Sequence, residues 1–194
     1  MLETSLLLKR GKTEPLTPVK DGWGSYDLNR EDFTVKPDTV GNGMFGKVVL
    51  GDCRGKPVAV KIFFAVKKKN LDKYVKECTL MRSLPHPNIL LFMGACLSKE
   101  TFYLVTEFCP RGSLYLYIHN NQTNDSSLSE FERKLQKEVS TKLDLSEKLR
   151  ISKEIVEGLN WLHRLPVPII HGDIKPKNIL IMEDWSIKIA DFGI

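Results

Sequence analysis

Apolar residues come in short runs over the first third of the chain and return at a spacing of three to four residues in two later stretches. Between Phe33 and Phe64, groups such as Val48-Val49-Leu50 and Val58-Ala59-Val60 are separated by Gly and Gly-Lys-Pro, the pattern of strands joined by tight turns. Leu71, Tyr74, Val75, Cys78 and Met81 then recur at helical steps, so a helix is expected until Pro85-His86-Pro87 stops it. Ile89 to Met93 and Phe102 to Thr106 read as two further strands before a break at Pro110-Arg111-Gly112. Leu145 to His163 is the longest helical pattern, with Leu149, Ser152, Ile155, Val156, Leu159 and Leu162 on one broad face, ended by Pro166 and Pro168. Ile179 to Met182 and Ile187 to Ala190 flank a turn at Glu183-Asp184. The first strands arrive as a block instead of alternating with helices, which makes the class α+β.

Two segments lack this regularity. Residues 1–22 mix Lys, Thr, Pro and Gly without a period, and residues 1–30 are expected as a leader that need not fold. Residues 119–144 open on a polar run from His119 to Ser127, after which Phe131, Leu135 and Val139 repeat every four residues and mark one short amphipathic turn set.

The 194 residues are 42% hydrophobic, enough for one domain or two small ones with a real core. The 29 Lys+Arg and 24 Asp+Glu leave a mild net charge of +5, too small to argue for nucleic acid. The basic run Lys67-Lys68-Lys69 reads as a solvated loop before a helix. No apolar run approaches the roughly 20 residues of a membrane span, and Leu6-Leu7-Leu8 is too short for a signal-peptide core. Without secretion, the N-x-[ST] matches at Asn121 and Asn124 are empty. Cys53, Cys78, Cys96 and Cys109 form no C-x-x-C pair and sit among apolar residues, so buried thiols in a reducing, cytoplasmic setting are expected instead of disulfides or zinc.

Chemistry enters with Gly41-Asn42-Gly43-Met44-Phe45-Gly46-Lys47-Val48, a G-x-G-x-x-G-x-V match. Dinucleotide-binding folds use the same glycine spacing, but their turn opens a helix. Here Lys47-Val48-Val49-Leu50-Gly51 is β-branched and leads to a second turn, so the glycines belong to a strand–loop–strand hairpin whose backbone N–H groups can fold over phosphates. Fifteen residues past Gly46, Lys61 ends Val58-Ala59-Val60-Lys61. A lysine between apolar strand residues needs a counter-charge, and Glu77, bordering the apolar stripe of the first helix, is the best placed to supply it.

The strongest run is His171-Gly172-Asp173-Ile174-Lys175-Pro176-Lys177-Asn178, followed 18 residues after Asp173 by Asp191-Phe192-Gly193. With H-x-D-x-K-x-x-N and D-F-G in this order, the sequence resembles the eukaryotic protein kinase family. The resemblance implies a two-lobed fold: a β-rich N-lobe and hinge over residues 31–109 with one regulatory helix, and the first part of a helical C-lobe over 110–194. It implies ATP and Mg²⁺ as cofactors and a protein hydroxyl as acceptor. Asp173 then resembles the catalytic base, Lys175 a group neutralising the transferred phosphoryl, Lys61 paired with Glu77 the anchor of the α- and β-phosphates, and Asn178 and Asp191 the Mg²⁺ ligands. Residues 41–46 would cover the phosphates, Val48, Ala59 and Leu180 would sandwich the adenine, Thr106 would stand beside its pocket, and the backbones of Glu107 and Cys109 would meet its edge. Met81, Phe92, His171 and Phe192 fill the places of a stacked hydrophobic column.

His86-Pro87-Asn88-Ile89-Leu90-Leu91-Phe92-Met93-Gly94-Ala95-Cys96, with Trp23 upstream of the first strand, looks like the tyrosine-kinase-like group, the Raf and mixed-lineage relatives. Lys175-Pro176-Lys177 follows the Ser/Thr pattern. The resemblance also brings the expectation of a kinase dimer. Gly172 departs from it by replacing the Arg that anchors a phosphorylated activation loop. The sequence stops at Ile194, directly after D-F-G, which fits a truncated kinase whose 194 residues alone bind ATP weakly and phosphorylate poorly. The alternative is an ATP-binding pseudokinase-like scaffold. An interaction role for the 119–144 insert would show as a deletion that alters partner binding and leaves ATP affinity alone.

Overall fold

The computed structural model describes residues 28–43, 46–64, 66, 68–119, 126, 128–138 and 143–191. The expected leader therefore lies outside the described residues up to position 27, as do Lys67, most of the polar run after His119, and Val139.

Five strands form one antiparallel sheet: β1 (Phe33–Gly43), β2 (Gly46–Cys53), β3 (Lys56–Phe63), β4 (Phe92–Ser98) and β5 (Thr101–Glu107), in the spatial order β1-β2-β3-β5-β4. Alternation along β3 assigns its two faces. Val58, Val60 and Ile62 join Phe33, Val49, Cys53, Cys96 and Val105 in one core. Phe63 turns to the other face, with Phe102 and Leu104 of β5, where α1 (Lys68–Arg82) delivers Cys78 and Met81. Tyr74 of α1 stacks on Phe102, with ring centroids 5.1 Å apart, and leans on Phe63 at 4.9 Å. These aromatic contacts clamp the helix to the sheet.

The strand expected at Ile89 to Met93 starts later, at Phe92, and runs to Ser98. Ile89 and Leu90 are buried for a different reason. Leu90 N donates to Ile189 O at 3.0 Å and Ile189 N to Asn88 O at 2.8 Å, so the apolar run links the sheet half to the helical half instead of extending the sheet.

The helical half contains α2 (Leu114–Ile118), α3 (Glu130–Glu138), α4 (Leu145–His163) and a two-stranded ribbon of β6 (Ile179–Ile181) and β7 (Ile187–Ile189). Helix α4 has the bounds the sequence predicts. Asp144 caps it: its Oδ1 accepts from Glu147 N at 2.8 Å, and Glu147 Oε2 accepts from Asp144 N at 2.8 Å. Only part of its apolar face is buried. Ile151, Gly158 and Leu162 are buried, whereas Leu149 and Val156 are each 62% exposed. Gly158 lies on the buried side. A Cβ there would lie 2.8 Å from Ile189 Cδ1 and 3.4 Å from Asn88, so the bare backbone lets β7 and the Asn88 loop come close on that side. Hydropathy periodicity gives a glycine no weight and misses this. All four cysteines are buried and none is in a disulfide, as expected. Among the described residues no helix is long and apolar enough to cross a membrane.

Candidate active site

The glycine-rich segment is a strand–loop–strand hairpin: Gly41, Asn42 and Gly43 of β1 pair with Val48, Lys47 and Gly46 of β2. No helix follows, which removes the dinucleotide-binding alternative. Met44 and Phe45 lie outside the described residues. Two of the glycines differ in what a side chain would meet. A Cβ on Gly46 would meet the Ile62 carbonyl oxygen at 2.2 Å, so the fold itself demands it. On Gly41 the nearest atom among the described residues would be Val48 Cβ at 3.8 Å, ordinary contact.

Val48 and Ala59 are half-buried on neighbouring strands, and Ala59 is in register with Thr106. Thr106 is buried at the end of β5, its Oγ1 donating to Glu107 O at 3.3 Å. Below it, Leu180 packs with Leu90, Cys109 and Ala190. Burial, helped by the charge of Glu107, pushes the Cys109 thiol up to about 12, so it behaves as an apolar wall and not as a nucleophile. Beside this wall Ser113, bridged to Leu180, is buried, and its Oγ has no hydrogen-bond partner among the described residues. The sequence reading did not single out Ser113.

Glu107 is anchored through its side chain as well as its backbone. Its Oε1 accepts from Leu91 N at 2.8 Å and meets Lys188 Nζ at 3.1 Å, with both side chains about 15% exposed, and its own N–H donates to Leu91 O at 3.0 Å. Lys188 was legible in principle: a lysine inside Ile187-Lys188-Ile189 needs a buried counter-charge for the same reason Lys61 does.

The loop after α4 carries the densest polar geometry. His171 is buried, and its Nδ1 accepts from Asp173 N at 3.3 Å. Since a backbone N–H only donates, the ring proton sits on Nε2 and bonds Ala190 O at 3.0 Å. Gly172 has φ 79°, the left-handed region that glycine enters freely. Lys175 Nζ reaches Asp173 Oδ2 at 2.6 Å, and Asn178 Nδ2 donates to Asp173 O at 2.8 Å and Oδ2 at 3.0 Å. The bond from Lys175, with that from Asn178, holds the Asp173 carboxyl below its usual range, so it is ionised at neutral pH. Ala190 N closes the loop by donating to Asn178 O at 2.9 Å.

Lys61 does not take the partner expected for it. Its Nζ bonds Asp191 Oδ1 at 2.8 Å, across 130 positions of sequence, with the lysine 17% and the aspartate 56% exposed. Glu77 is half-buried on α1. The helix next in the chain is a near source of counter-charge in sequence, whereas the Leu90–Ile189 and Glu107–Lys188 contacts bring the end of β7 to the sheet. Met81 and Phe92 belong to one buried cluster with Phe63, Cys78 and Phe102. Two hydrogen bonds of His171 go to backbone, and Phe192 lies outside the described residues.

Burial lowers the His171 pKa, against the opposing bond to Ala190. The unfolded chain takes up a proton near the ordinary value of 6.5 while the folded loop still refuses it, so stability is full above that pH and is lost as pH falls toward the depressed value. His86 shifts the same way through burial. The thermal midpoint should fall between pH 7 and 5. In His171→Gln, whose amide can still donate to Ala190 O, the fall should be shallower; an identical slope in the two proteins would refute this origin.

Residues 35–194 match the family described as protein tyrosine and serine/threonine kinase. Over 168 residues, 84% of this chain and 14% of the relative, the sequence is 37% identical to Arabidopsis thaliana "Probable serine/threonine-protein kinase SIS8". It is 37% identical over 176 residues to the dual specificity protein kinase shkC of Dictyostelium discoideum, covering 88% of this chain and 30% of that protein. It is 36% identical over 160 residues to human serine/threonine-protein kinase TNNI3K, covering 80% and 17%. The chain thus spans less than a third of the length of these relatives.

Proposed function

The chain belongs to the protein kinase family, in its tyrosine-kinase-like group, and from that premise we propose that it forms the nucleotide-binding and catalytic part of a kinase that phosphorylates serine and threonine. The observation that carries the reading is the ionised Asp173 carboxylate, held by Lys175 and Asn178 on a loop whose His171 bonds Ala190, the chain neighbour of the Asp191 that pairs with Lys61.

Asp173 is the proton acceptor for the substrate hydroxyl, and Lys175, 2.6 Å from it, is placed to meet negative charge on the transferred group. Lys61 holds phosphate oxygens. Mg²⁺ takes one or two protein ligands and leaves the rest to phosphates and water. Asp191 and Asn178 fit that role, since the amide nitrogen of Asn178 is committed to Asp173 and its carbonyl oxygen is the hard donor it can offer. Bound Mg²⁺ supplies charge neutralisation along the phosphate chain. The backbone N–H groups of the glycine hairpin donate to phosphates, the wall of Val48, Ala59 and Leu180 accepts the base between the hinge backbones of Glu107 and Cys109, and the buried Ser113 hydroxyl suits a ligand rich in hydroxyls.

We take residues 31–109 as N-lobe and hinge and 110–194 as C-lobe. A cytoplasmic site of action is proposed on the four buried thiols, none of which is in a disulfide. Serine/threonine preference is supported by Lys175-Pro176-Lys177 and by two of the relatives' names. The second reading, a nucleotide-binding scaffold, has Gly172 in its favour; retention of Lys61, Asp173, Asn178 and Asp191 favours turnover. The test is incubation of the purified protein with γ-labelled ATP, Mg²⁺ and a generic protein substrate. Labelled phosphoserine and phosphothreonine are expected. Phosphotyrosine alone would overturn the specificity, and nucleotide binding without any transfer would select the scaffold.

A further inference from the structure

Helix α3 comes from the segment the sequence reads as a mostly polar insert, yet it is tied down at several points. Ser129 and Glu132 cap it reciprocally, at 2.8 and 3.1 Å, and Gln136, itself buried, donates to His119 O at 3.2 Å. Leu128 before the helix and Leu143 after it are buried in the core of the helical half. Leu135 packs where the chain leaves the hinge: a Cβ on Gly112 would lie 3.1 Å from its Cδ1. Phe131, one turn earlier, meets Phe108 of the hinge with ring centroids 5.7 Å apart. The same helix approaches β1 to within 8 Å between Cα atoms.

One element rooted in the helical half therefore touches both the hinge and the strand that runs into Gly41 and Gly43. We propose that α3 is a strap across the hinge side of the nucleotide cleft, with the Phe131–Phe108 contact as its latch, and that it slows nucleotide release by limiting how far the β1 wall swings away from the hinge. This reverses the expectation that the insert is separable from ATP affinity. It rests on the reading of the cleft as an ATP site. An aromatic contact of this kind is worth about a 2- to 10-fold change in an equilibrium constant, which sets the expected scale.

The test uses Phe131→Ala, in which alanine keeps the helix propensity. In the nucleotide-free protein, amide hydrogen exchange across β1 should quicken while the amides of α4 keep wild-type rates. Release of a fluorescent ATP analogue should accelerate about 2- to 10-fold, and Phe131→Leu should restore part of both effects. Unchanged exchange in β1, or uniform acceleration that includes α4, overturns the strap. Faster β1 exchange with unchanged release overturns its control of the cleft. A wild-type protein that binds no nucleotide overturns the ATP reading and the gating with it, whereas the exchange result judges the strap independently.

Discussion

Asp173→Asn should lower phosphoryl transfer by about 10²- to 10⁴-fold while ATP affinity stays within about twofold of wild type. Asparagine has the same shape, and its carbonyl oxygen can take over the acceptor position that Asp173 Oδ2 fills toward Lys175 and Asn178 at 2.6 and 3.0 Å. What it cannot do is accept the proton of an attacking hydroxyl. The loop geometry survives because it hangs on backbone atoms: Asp173 N to His171, and Asn178 to Asp173 O. Steady-state kinetics should therefore show the loss in kcat with KM for ATP preserved. A variant that keeps its kcat would remove Asp173 from the role of base.

The second large effect is on stability. Phe102 has no exposed surface and sits between Tyr74 of α1 and Phe63 of β3, with centroids 5.1 and 5.9 Å away. Phe102→Ala should cost about 3–5 kcal/mol, from lost burial plus the cavity left behind. Against a typical total of about 5–15 kcal/mol that is a severe loss, readable as a drop in the urea midpoint. The consequence reaches the site, because α1 is held to the sheet by these rings and carries Met81 and Glu77. A change below about 1 kcal/mol would mean that α1 is secured elsewhere.

Much of this was visible in the sequence because it depends on local order along the chain. The bounds of α4, the glycine hairpin, and the spacing from His171 through Asp191 need no tertiary information, and periodicity or motif order exposes each of them. What stayed hidden depends on distant segments meeting. Lys61 was read as needing a counter-charge, but Asp191 supplies it from 130 positions away. Glu107 was assigned through its backbone alone because nothing in the sequence announces that Lys188 and Leu91 converge on its carboxylate. Ile89 and Leu90 were read as strand because burial against Ile189 leaves the same apolar mark as burial within a sheet. Helix α2, five residues long, is too short to display a period. The burial of α4 at Gly158 was hidden because close approach is written as a missing side chain.

The measurement that bears most directly on the function is ATP affinity with and without Mg²⁺ in wild-type and Asp191→Asn protein. Outer-shell partners alone are commonly worth about 10–100-fold in metal affinity, so losing the charge of Asp191, the proposed direct ligand, should cost at least about tenfold of the Mg²⁺-dependent gain. The expected result is tight, Mg²⁺-dependent binding in the wild type and an increment reduced by at least about tenfold in Asp191→Asn. The same Mg²⁺ increment in both proteins, or ATP binding indifferent to Mg²⁺ in the wild type, would contradict the assignment of this cleft as an Mg·ATP site.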